Sequence, residues 1–184
     1  MAYPYSNLRS KLNRAVVAYL ISQPNCGTAD DITPFNTRLV NSLIQPSTTV
    51  RARAGKPRVE MSGNYDVALQ ITVKGTGVQD VGDTSESARL LFDLRLASIY
   101  DAMFQSDDNY TLNATAKAIT SAGRALAASD PVNNGDMDDF TVLAITDGGF
   151  GDPNINEQEC AWEEQLMFNV LCCGSHLLGY SLTD

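Results

Sequence analysis

Tyr65-Asp66-Val67-Ala68-Leu69-Gln70-Ile71-Thr72-Val73-Lys74 is the segment from which the architecture can be built outward. Tyr65, Val67, Leu69, Ile71 and Val73 share one parity, and Asp66, Ala68, Gln70, Thr72 and Lys74 the other. That alternation belongs to a strand with one face in a core and one toward water. Gly63-Asn64 supplies the turn that leads into it. Upstream, Val50–Ala54 alternates with Arg51 and Arg53 on one face, and Arg58–Met61 resumes after Gly55-Lys56-Pro57. Far downstream, Ala161–Cys173 puts Trp162, Glu164, Leu166, Phe168, Val170 and Cys172 on one parity. Asp139–Thr146 carries Phe140, Val142, Leu143, Ala144 and Ile145, and Asp147-Gly148-Gly149 is read as its end.

Three helices fill the remaining periodic segments. Residues 8–21 set Leu8, Leu12, Ala15, Val16, Tyr19 and Leu20 on one side, with Arg9, Lys11 and Arg14 elsewhere, and Pro24 follows. Asp83-Thr84-Ser85-Glu86 has the form of a helix start, and Ala88, Phe92, Leu96, Ile99 and Met103 then recur at helical spacing to about Gln105. Leu91 and Leu94 are expected to broaden that core face. Phe92, Leu96, Ile99 and Met103 are expected to pack on Val67, Leu69, Ile71 and Val73. An Ala-rich helix spans about Leu112–Ala128, and 129–138 is a polar loop. The order α, β, β, β, α, α, β, β predicts an α+β fold: one domain over 1–184, with a largely antiparallel β-sheet and helices packed on one face. Its departures from compactness are a long polar connection at 24–48 and a short tail after 174.

Composition narrows the chemistry. The 184 residues carry 13 basic and 22 acidic side chains, and every basic one lies at or before Arg124. Residues 125–184 therefore hold a net charge of −11, against +2 for residues 1–124. So acidic a chain has no general affinity for phosphates, because such binding relies on Lys and Arg displacing counterions. The longest apolar run, Ala15–Ile21, is seven residues, far short of a membrane span. Met1–Ser10 lacks the charged and apolar segments of a signal peptide, which predicts folding in the cytoplasm. Cys26, Cys160, Cys172 and Cys173 include no Cys-x-x-Cys pair and are expected to be reduced, with Cys172 and Cys173 facing opposite ways on a strand.

Catalytic signatures fail one by one. The single histidine, His176, has no Lys or Arg nearby to activate Cys172 or Cys173. Gly75-Thr-Gly-Val-Gln-Asp80 has a carboxylate where a dinucleotide fingerprint needs its third glycine. Asp136, Asp138 and Asp139, like Asp147-Gly-Gly-Phe-Gly-Asp152, lack the ligand alternation and terminal Glu of a calcium loop. The expectation is a non-enzyme with no catalytic, cofactor-binding or metal-binding residues. What remains is a basic cluster for protein contact (Arg51, Arg53, Lys56 and Arg58) and an acidic loop (Asp130, Asp136, Asp138 and Asp139). Both suit an assembly protein.

Four pieces carry a family resemblance: Leu8-Arg-Ser-Lys-Leu-Asn-Arg-Ala-Val-Val; Gly63-Asn-Tyr-Asp-Val-Ala-Leu-Gln-Ile-Thr-Val-Lys-Gly; Leu91-Phe-Asp-Leu-Arg-Leu-Ala-Ser-Ile-Tyr-Asp-Ala-Met-Phe; and Phe140-Thr-Val-Leu-Ala-Ile-Thr-Asp-Gly-Gly with Cys160-Ala-Trp-Glu-Glu-Gln-Leu-Met-Phe-Asn-Val. In order and wording the chain resembles the tail terminator (tail completion) proteins of long-tailed bacteriophages. The likeness covers roughly residues 5–22 and 58–175, and the 24–48 connection departs from it. It implies a ring-forming subunit, a homo-hexamer seated on the tail tube protein. Such a ring ends tube polymerisation and joins the tail to the head connector or neck protein. The implied place is the virion's head–tail junction, after assembly in the host cytoplasm, with no cofactor and no membrane. Genomic DNA would meet the ring only in transit, and the acidic loop is then expected to face the channel. Another head–tail joining or tail-tube component is the alternative.

Overall fold

The alternating segment forms the centre of a sheet. In the computed structural model, which describes residues 8–34, 48–57, 63–76, 85–104, 113–130, 137–151, 154–156 and 161–174, it is strand β3 (Asn64–Thr76). Val67, Leu69, Ile71 and Val73 are buried, as their parity predicts. β3 runs antiparallel to β6 (Ala161–Cys173) over the whole of both strands, Asn64 facing Cys173 and Thr76 facing Ala161. On its other side β3 pairs antiparallel with β2 (Thr48–Pro57), and β2 pairs in parallel with β1 (Ile32–Pro34). Beyond β6 lies β4 (Thr141–Phe150), and β5 (Asn154–Asn156) carries the same edge onward along β6. The order is β1-β2-β3-β6-β4, a mixed sheet with one parallel pair in an otherwise antiparallel array.

Helices α1 (Leu8–Ile21), α2 (Ser85–Met103) and α3 (Asn113–Ser129) cover the face that carries Leu69 and Phe168. The α+β class and the one-sided helical layer are as the sequence predicts. α1 differs from its amphipathic reading: Ser10, Lys11 and Asn13 are buried with Leu8, Leu12, Ala15, Val16 and Leu20. The cause is α3, which closes over α1 so tightly that a Cβ on Gly123 would stand 2.8 Å from the Ala15 Cβ. The buried Lys11 and Asn13, and half-buried Arg9 beside them, hold partners outside the helix. Asn13 Oδ1 accepts the Ala52 N–H, and Arg9 Nε donates to the Ala52 carbonyl at 3.1 Å, where β2 bulges between Ala52 and Gly55. Lys11 Nζ donates to Asp139 Oδ1.

Three further differences have local reasons. The bulge carries β2 on through Gly55-Lys56-Pro57, the residues read as a break, while Arg58–Met61 lies outside the described residues. Likewise Gly148-Gly149 does not end β4: the strand passes through a second bulge between Asp147 and Gly149, with Gly149 at φ 87°. Gly148 lies so close to β6 that a Cβ would be 2.8 Å from the Met167 carbonyl oxygen. The 24–48 connection is partly structured, with β1 inside it, Asp31 Oδ2 accepting from the Thr28 N–H and hydroxyl at 2.9 Å, and Cys26 and Ile32 buried. Arg58, the Asp83 cap, Asp136, Cys160 and His176 lie outside the described residues.

Among the described residues Cys26, Cys172 and Cys173 are free thiols, and Cys172 is buried while Cys173 is half-exposed, on opposite faces of β6. Burial first, then the negative neighbours Cys173 and Asp66, pushes the Cys172 thiol from its ordinary 9.0 up to about 12. Burial pushes Cys26 up to about 11, against the opposing pull of Arg95. The folded chain thus holds protons that the unfolded chain releases above about pH 9. Stability is expected to be indifferent to these thiols below that pH and to fall above it, by up to about 1.4 kcal/mol per pH unit for each thiol. Urea unfolding of wild type and Cys172→Val from pH 8 upward checks this: the variant's stability should decline less steeply, and equal slopes would contradict it.

Candidate assembly surface

α2 carries apolar side chains on its inner side and a second apolar stripe, set among charged residues, on its outer side. Its inward positions Phe92, Ile99, Ala102 and Met103 are buried, with Leu96 and Tyr100 partly so. Away from them, Leu90 is 63%, Leu91 65% and Leu94 49% exposed, with Leu90 and Leu94 about half a turn from Phe92, and exposed Ala97 continues the stripe one turn on. Leu91 and Leu94 therefore do not broaden the core face. They follow Leu90 outward, because the core-facing arc is already occupied by Phe92, Ile99, Ala102 and Met103. A contiguous apolar stripe left uncovered on a surface helix is the kind of feature that marks an interaction surface.

α2 is rigidly held. Phe92 lies against Gly75, where a Cβ would come within 2.7 Å of its ring, and against Trp162 with centroids 6.1 Å apart. Arg89 stands over both rings, at 5.1 Å from Phe92 and 5.7 Å from Trp162, and pairs with Asp93 at 3.0 Å and Glu164 at 3.5 Å. Arg95 reaches Asp31 at 3.5 Å. At the helix end the Tyr19 hydroxyl donates to the Ala102 carbonyl at 2.7 Å. Tyr100 stacks on Phe150 at 5.5 Å and 16°, and its hydroxyl donates to Asp147 at 3.2 Å. Phe150 itself is 61% exposed at the rim of this corner. Arg95 thus leans inward onto Asp31, whereas Arg89 bridges Asp93 on its own helix and Glu164 on β6. Among the described residues, the exposed charges on its outer half are Asp93, paired with Arg89, and Asp101.

No protein-family model matches the chain, and no curated protein matches it. The surface must therefore be read from its own residues.

The opposite side of the sheet is polar. Arg53 donates to Gln70 Oε1 through Nε at 2.8 Å and also through Nη2, and Gln70 in turn donates to Thr72 at 3.3 Å. Arg51 and Arg53 are exposed there, Arg51 facing Gln70, which faces Met167 on β6. Lys56 is in β2 opposite Asp66. Lys74 pairs with Glu163 at 3.0 Å on the same face. Of the acidic loop, Asp138 is exposed, Asp130 is half-buried after α3 with its N–H on the Leu126 carbonyl, and Asp139 is tied to Lys11. The structure thus keeps Arg51 and Arg53 together and gives Asp139 a structural partner. No group of three or more metal-ligating side chains occurs among the described residues, and no described helix is long and apolar enough to cross a membrane.

The leucine stripe is the feature that sequence reasoning missed. Its signal was present: Leu90 and Leu94 are four apart and lie half a turn from Phe92 and Ile99, so a single core face could not take all of them.

Proposed function

We propose that this chain is a structural subunit that assembles with copies of itself into a ring, and that the ring closes a bacteriophage tail tube and joins it to the head. The observation that carries the assembly reading is the outward stripe of Leu90, Leu91 and Leu94 on a rigidly held helix. Covering what remains exposed of each leucine is worth roughly 1–2 kcal/mol, enough to favour association once several are covered together. The place in a phage tail is supported by the resemblance in the order and wording of residues 5–22 and 58–175. In a ring of six, the net −11 of residues 125–184 is repeated six times. Charge of that density is unfavourable in a dry contact and suits water-facing surfaces, of which a DNA conduit is one.

The test joins mass to imaging. Light scattering and negative-stain microscopy of the purified protein should show rings rather than 19.9 kDa monomers. Antibody labelling of virions should place the chain at the head–tail junction, and phage lacking it should accumulate headless tails of uncontrolled length. Label along the whole tube would make it a tube component instead. A monomer absent from virions would overturn the proposal.

A further inference from the structure

We draw no further inference here: the strongest candidate, the exposed apolar stripe of Leu90, Leu91 and Leu94 on the outer side of α2, belongs to the assembly surface already described, and nothing in the structure shows what covers it.

Discussion

Asp139→Ala is expected to destabilise the domain by about 3 kcal/mol, because it leaves an ammonium group buried without its carboxylate. Lys11 emerges from α1 beneath α3, its side chain only 8% exposed, while Asp139 is 35% exposed at the start of β4. The asymmetry decides which partner can be lost. Without Lys11, Asp139 can turn to water, so Lys11→Met should change stability by no more than about 1 kcal/mol, as apolar replacements of buried ions often do. The double variant should resemble Lys11→Met alone, since the group that made Asp139→Ala costly is gone. Urea unfolding of the four proteins closes the cycle. A cost for Asp139→Ala below about 1 kcal/mol would show that Lys11 finds water or another acceptor.

That ion pair also marks where reading the sequence stopped. The sheet was legible because period-two alternation reports burial directly: β3 and β6 follow from Val67, Leu69, Ile71 and Val73 and from Leu166, Phe168 and Val170. Helix boundaries followed to within two residues for the same reason at period 3.6. Lys11 was misplaced because its acceptor is 128 residues away, and no local pattern carries that information. The bulges at Ala52/Gly55 and Asp147/Gly149 resemble strand ends, since glycine and proline are the punctuation of both. β1 is three residues long and is held by pairing with β2, so its own residues hold little signal. The candidate surface was half legible. Arg51 and Arg53 stand out as charge on a strand, whereas Leu91 and Leu94 read as part of a core face that Phe92, Ile99 and Met103 already fill, and Leu90 falls outside that pattern.

Phe168→Ala should cost about 3–5 kcal/mol, the range for a fully buried aromatic cut back to a methyl group. Phe168 is in the central strand β6, opposite Leu69 of β3 and 1% exposed. Its ring is the floor on which the end of α2 rests: Phe104 packs at 5.5 Å and 52°, and Tyr100 at 6.3 Å and 40°, both the tilted arrangement that aromatic pairs favour. Phe150→Ala, at the exposed rim of the same cluster, should cost no more than about 1 kcal/mol, because most of that ring is already in water. Urea midpoints separate the two, and near-equal losses would mean that the aromatic corner has no distinct interior. The consequence reaches the outer surface as well. α2 presents Leu90, Leu91 and Leu94 in register only while its inner side is seated on Trp162 at one end and Phe168 at the other. Phe168→Ala should therefore weaken self-association even under conditions where the domain remains folded, although the residue is buried on the far side of the helix from the stripe. Association as tight as wild type in the folded variant would show that the Phe92–Trp162 end holds the stripe in place by itself.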